Sequence, residues 1–254
     1  MKAHVEGIRA MVFKAFYYLD IQVNSSDRER ARKLGELAEI LTPVVKCYGS
    51  EACLGIISQA IQVLGGVGYT QEYPVEQYLR DSKILSIWEG TSFIHGNDLV
   101  GRKMRMKEGS SFANWMASIK EFIDTNRSAP GFEKEMSNLV RGYQCLEEVK
   151  ATYDSWYNNM GQKRSLIPLN AIKSLFVCSQ VQVAECLMEQ ALIAKNKLTS
   201  ITSDSVEATF YTGKIACARY YLNNILPHAF LTTEMIKNED DTVITCPEEA
   251  LVVR

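Results

Sequence analysis

The residues best suited to chemistry lie between Ala60 and Lys103. Ile84-Leu85-Ser86-Ile87-Trp88 is an apolar run that delivers one carboxylate, Glu89, followed at once by Gly90 and Thr91. A carboxylate behind such a run is either exposed at a loop or held in a poorly solvated recess. In a recess it binds its proton more tightly, which suits a general base. Upstream, an apolar helix end (Ala60, Ile61, Val63, Leu64) runs into Gly65, Gly66 and Gly68. Glycines there permit positive φ and let another group approach the bare backbone. Each signal also has a plain structural reading. Gly-Gly-x-Gly after a helix serves as a C-cap and turn, and no strand precedes it as a dinucleotide fingerprint would require. Glu-Gly-Thr can be a solvated turn, with Thr91 capping the next helix.

Taken together the spacing is specific. Gln62-x-x-Gly65-Gly66-x-Gly68-Tyr69, then Glu76, Arg80-Asp81 and Ile87-Trp88-Glu89-Gly90-Thr91 resemble the C-terminal helical domain of acyl-CoA dehydrogenases. Asp98-Leu99-Val100-Gly101-Arg102-Lys103 resembles the branch whose chains continue into a helical extension. The resemblance is clear from Met1 to about Met106 and general in pattern beyond it. It implies α,β-dehydrogenation of an acyl-CoA thioester with FAD. Glu89 would be the base, Gly90 would lie against the acyl chain, and Gln62, Gly65, Gly66 and Thr91 would contact FAD. It also implies electron-transferring flavoprotein as acceptor, and a homo-oligomer or a heteromer with a chain supplying the flavin-binding β domain. The expected location is the cytoplasm, or the mitochondrial matrix in a eukaryote. Trp88 stands where the family usually has Tyr, and Phe93 where several members have a polar flavin contact. Family enzymes carry a helical and a β domain before this region. No strand-rich stretch precedes Gln62, so the chain by itself is expected to hold the base and only part of the cofactor site. The alternative is a non-catalytic helical remnant that forms oligomers or binds partners.

Composition narrows the field. The chain has 254 residues, 46% hydrophobic and 23% charged, with a formal net charge of −2. Neither a basic surface for nucleic acid nor an acidic disordered tract is indicated. No uninterrupted apolar stretch suggests a membrane span, and Arg9 and Lys14 interrupt the N-terminal apolar residues. Seven scattered cysteines without a CxxC pair read as reduced, largely buried thiols and give no zinc site. His4, His95 and His228, far apart in sequence and near no acidic cluster, read as packing or surface residues in preference to a catalytic histidine.

Helical periodicity predicts an all-α chain, an up-and-down bundle over 1–107 followed by a second bundle over 108–254. Helices are expected over Met1–Val23 and over Arg28–Tyr48, the latter kinked at Pro43. A third should start at Gly49-Ser50-Glu51 and end at the glycines. Short pieces should follow at Val75–Tyr78 and Asp81–Leu85, and another helix after Thr91. Arg80 and Asp81 read as an ion pair. Lys107 to Ser111 is the candidate boundary. Beyond it, long amphipathic helices are expected from Phe112, over Glu133–Asn159, over Leu169–Leu198 and over Ser205–Leu226. The tail from Thr232 is expected to pack poorly.

Overall fold

A computed structural model describes residues 1–252, and every regular element among them is helical. α1 (Lys2–Asn24) and α2 (Arg28–Leu64) form an antiparallel pair. Asp27 caps α2, its carboxylate accepting from the Arg30 amide at 3.0 Å. α2 is one helix of 37 residues with Pro43 inside it, so no new helix begins at Gly49. The reason is visible at Ser50, whose hydroxyl bonds back to the Lys46 and Cys47 carbonyls at 2.8 and 2.9 Å. It therefore supports the turn behind it instead of capping one ahead.

Short elements follow: α3 (Gly66–Tyr69), α4 (Val75–Lys83), a 3₁₀ turn (Ile84–Ser86) and α5 (Ser92–Asn97). Arg80 pairs with Glu76 at 3.0 Å, not with Asp81, because residues four apart share a helix face and adjacent ones do not. A π turn (Asp98–Arg102) and a 3₁₀ run (Lys103–Gly109) lead into the second half. There Lys107, Glu108 and Gly109 all take left-handed φ, of 52, 60 and 86°. The backbone bends sharply at the expected junction, while the core continues across it.

The second half comprises α6 (Ser110–Asn126), α7 (Glu133–Asn158), α8 (Met160–Lys163), α9 (Leu166–Leu169), α10 (Ala171–Leu198), α11 (Val206–Asn224), α12 (Pro227–Lys237), α13 (Thr242–Thr245) and α14 (Glu248–Leu251). α10 is the central strut, packed by α1, α2, α5, α7, α11 and α12. Val181, Val183 and Leu187 are fully buried along it. One core joins Met11, Leu41 and Val44 of the first half to Leu139, Trp156 and Val181 of the second. α1 can approach α10 because of Gly7, where a Cβ would meet Val183 at 2.4 Å. Gln182 and Glu185, buried along α10, are paired: the Trp115 indole donates to Gln182 at 2.7 Å, and Lys14 to Glu185 at 2.7 Å, whereas the buried Gln180 Oε1 has no partner among the described residues.

Two helices, α2 and α10, are long and apolar enough to cross a membrane by length and composition. In α10, 83% of the apolar window is buried inside the protein, and in α2 39% is. For α10 the apolar run therefore records core burial. The tail differs from expectation: α12 reaches Lys237 with Thr233 and Ile236 buried. Glu239 accepts from the Trp156 indole at 2.7 Å. From Asp240 to Val252 the chain is mostly exposed, and Val253 and Arg254 lie outside the described residues. All seven cysteines are free, five of them buried. No cluster of metal-ligating side chains exists among the described residues.

Candidate functional site

Glu89 sits between the Ile84–Ser86 turn and α5 with φ of 52°, and Gly90 follows at 99°. Two successive left-handed residues reverse the chain within a few ångströms. Glycine adopts this geometry freely. Glutamate does so at a cost of order 1 kcal/mol, and such outliers gather at functional sites. Thr91 then caps α5, accepting from the Ile94 amide at 3.4 Å. α5 is drawn tight against α10 at Gly96, where a Cβ would lie 3.0 Å from the Ala171 carbonyl carbon. The Glu89 turn is thus pinned from behind by the core strut.

The burial pattern in front of it is inverted. Ser82, Ser86 and Ser92 are buried, whereas Ile84, Ile87 and Trp88 are each 51% exposed and Phe93 and Ile94 are also exposed. The expected dry recess is therefore not closed. The Glu89 side chain is 56% exposed and accepts a hydrogen bond from Lys46 of α2. The apolar groups that should surround it are present, but they face outward with nothing over them. Of the two sequence readings of this carboxylate, the chain by itself shows the exposed one, because nothing within it covers this surface.

Two residues at this site were not foreseen. Lys46 holds Glu89 and also stands 5.8 Å from the centre of the Trp88 ring. His95 of α5 lies against the bend, its Nε2 within 3.1 Å of where a Cβ on Gly90 would be. Burial holds the His95 imidazole below its ordinary value, and the Lys46 ammonium pushes the same way; hydrogen bonding with the Gly90 backbone opposes both. The available signal was His95's place in the first turn and a half of the helix that Thr91 caps, directly after the Glu89-Gly90 bend. Nothing local pointed to Lys46, which is 43 positions away. Behind the bend, the Ser92 hydroxyl donates to Glu51 and ties α5 to α2.

Gly65, Gly66 and Gln62 form a second locus. Gly65 ends α2 with φ of 66°, its amide bonded to the Gln62 carbonyl at 3.2 Å. A Cβ at either glycine would meet nothing within 4 Å, and Gln62, Val63 and Tyr69 are exposed. Lys46, Glu89's partner, and Gly65 are on the same continuous helix. Nineteen residues at 1.5 Å each put them roughly 28 Å apart along its axis. The glycines and the Glu89 bend thus lie at two separate places along this chain. The unbroken α2 is what separates them.

The comparisons with known proteins fit this geometry. The family described as "Acyl-CoA dehydrogenase, C-terminal domain" matches residues 1–104, and "Acetyl-CoA dehydrogenase C-terminal like" matches 115–247. The chain belongs to the acyl-CoA dehydrogenase family. A butyryl-CoA dehydrogenase of Syntrophomonas wolfei is 34% identical over 99% of this chain. A broad-specificity linear acyl-CoA dehydrogenase of Mycobacterium tuberculosis is 31% identical over 98% of it. The chain spans 40% of the length of the first relative and 41% of the second. Among solved structures, a Bacillus anthracis acyl-CoA dehydrogenase complexed with FAD superimposes with a TM-score of 0.67 at 16% identity. It covers 97% of this chain and 41% of that one. Caenorhabditis elegans ACDH-11, solved in complex with a CoA ligand, gives 0.64 at 18% identity, covering 98% and 39%. At those identities the likeness establishes the fold. Acyl-CoA dehydrogenases are FAD-dependent. The open backbone at Gly65 and Gly66 leaves room for a group to approach closely, so these residues fit one wall of such a cofactor's site.

Proposed function

We propose that this chain is the base-bearing helical part of an FAD-dependent acyl-CoA dehydrogenase and works in an assembly that covers its exposed face. The observation that carries the reading is the inverted burial around Glu89. Large apolar side chains ring a strained carboxylate and await a cover, which is how a dry catalytic recess looks with one wall removed. In the covered site Glu89 takes the α proton of an acyl-CoA thioester as general base. FAD supplies the acceptor for the hydride that leaves the β carbon. Gln62, Gly65, Gly66 and Thr91 are assigned to the cofactor, and Gly90 to the acyl chain. The Glu89 amide is assigned to the thioester carbonyl, where it would stabilise developing negative charge. The roughly 28 Å separating Lys46 from Gly65 along α2 requires an extended ligand or a second chain to engage both loci. Lys46 holds one of the two carboxylate oxygens and leaves the other free. An exposed pair of this kind is worth only about 0–1 kcal/mol, so an entering substrate can displace it.

Residues 1–107 are proposed to carry the site and 108–254 to buttress it through α10. Electron-transferring flavoprotein is the proposed acceptor, and a homo-oligomer or a heteromer with a flavin-binding β domain the working form. The proposed location is the cytoplasm, or the mitochondrial matrix in a eukaryote. The test is Glu89→Gln in a flavin-loaded assembly. The variant should bind flavin normally and lose turnover by about 10²–10⁴-fold. Turnover at the normal rate would overturn the assignment. A second reading, an assembly protein without chemistry, is favoured by one observation: Glu89 is already neutralised by Lys46 and solvated. Co-purification separates the two, since a yellow complex with a second polypeptide supports the enzyme and a colourless homo-oligomer the alternative.

A further inference from the structure

Where the two halves meet, an open cavity of about 690 Å³ lies between the π turn and the α8–α9 segment. It shares no lining residue with the Glu89 bend. Its cationic walls are Arg105 and Arg164, with Asn97 and Ser165 as further polar groups and Ile167 and Pro168 as apolar floor. Neither guanidinium has a carboxylate within ion-pair distance among the described residues. Arg9, Arg32, Arg80 and Arg102, by contrast, each have one.

Arg105 is held in place. Its guanidinium stacks 4.9 Å from the Tyr157 ring centre, which leaves its N–H edge free. Tyr157 is itself fixed by donating to the Val100 carbonyl within the π turn. Burial pushes its phenol up to about 12, so it stays a donor at neutral pH. Gly101 and Gly161 keep the walls open, since a Cβ at either would meet nothing within 4 Å. On Arg105's other side a neighbouring cavity is lined by Glu108 and Asp154, but Asp154 is already engaged by Lys150 at 2.6 Å.

We propose that this cavity is an anion site for an organic phosphate: a phosphate ester whose oxygens take the two guanidinium forks and whose apolar or planar body rests on Ile167 and Pro168. Two forked donors match phosphate geometry better than a lone ammonium does. The volume suits a small organic ligand and greatly exceeds what a bare ion fills.

Calorimetric titration of the 254-residue chain at low ionic strength tests this, using phenyl phosphate, inorganic phosphate and phenol as probes. Phenyl phosphate should bind at least tenfold more tightly than inorganic phosphate, and phenol should give no heat. Arg164→Gln, an exposed change that breaks no ion pair or side-chain hydrogen bond among the described residues, should weaken phenyl phosphate at least tenfold with the helical signal unchanged. Arg105→Lys keeps the charge but loses the fork, and should weaken it comparably. No binding of phenyl phosphate overturns the proposal, as does binding that survives both substitutions. Equal affinity for inorganic phosphate overturns the assignment of an organic ligand.

Discussion

In α10, Leu175, Val177, Val181 and Leu187 have no exposed surface, whereas Ile84, Ile87 and Trp88 ahead of Glu89 are each 51% exposed. The residue types are alike and their fates are opposite. α10 meets partners on every side within this chain, so the hydrophobic effect is satisfied internally. The bend before Glu89 is clamped from behind by Ser86, Ser92 and Gly96, leaving its apolar groups nowhere to fold inward. An apolar run therefore reports that burial is demanded, not that this chain supplies it. In the first region packing maintains the fold. In the second it holds a surface ready for something else.

The largest effect expected from breaking this comparison is in the core. Trp156 is fully buried, edged by Tyr153 at a ring-centre distance of 4.8 Å and bonded to Glu239. Trp156→Ala should cost about 3–5 kcal/mol in urea unfolding followed by circular dichroism. Trp88→Ala should cost no more than about 0.5 kcal/mol in the same experiment, as for an exposed substitution. It should nevertheless impair flavin retention in the assembly. A loss above about 2 kcal/mol at Trp88 would mean the two regions do not differ as described.

How much of this could be read in advance follows from the same contrast. Apolar periodicity made the helices legible, including α1 and α10, because periodicity records which face is buried. The break at Gly49 was misread because the sequence does not say which way Ser50 will bond. Arg80 was given the wrong partner because adjacency in sequence is not adjacency on a helix. The bend at Glu89 was legible in its residues, since Glu-Gly-Thr after an apolar run leaves few alternatives to a turn. Its solvation was not, because exposure depends on what covers the surface. Lys46 and the Arg105–Arg164 cavity were invisible for a different reason: each joins residues distant in sequence, and no local pattern encodes such a meeting.

A second effect should be intermediate in size and specific to the clamp. At Gly96 the α5 backbone approaches α10 so closely that a Cβ would sit 3.0 Å from two Ala171–Ile172 backbone atoms. Backbone cannot yield as a side-chain tip can. Gly96→Val should therefore cost about 1–3 kcal/mol by overpacking and tilt α5 away from the core. Because Thr91 starts α5, the Glu89 bend should lose its left-handed pair. Heteronuclear NMR should report large shift changes at the Glu89 and Gly90 amides and small ones in α11. Shift changes spread evenly over both would show that the clamp does not act locally.

The smallest effect concerns charge. Lys46→Met removes the partner of Glu89 and one of the two influences that lower the His95 imidazole, burial being the larger. Stability should change by no more than about 1 kcal/mol, since the pair is well solvated. The NMR titration of His95 is the sharper readout. In the wild-type chain it should fall below the reference value of 6.5 and move upward in Lys46→Met. The sign for stability follows. A base whose folded value is depressed contributes stability that is present above the ordinary value and lost as pH falls below it, because the unfolded chain takes up the proton first. Acidification from pH 7 through the region below 6.5 should therefore destabilise the wild type, and Lys46→Met less. A His95 titration unmoved by the substitution would separate Lys46 from the bend electrostatically, leaving burial as the cause of the depression.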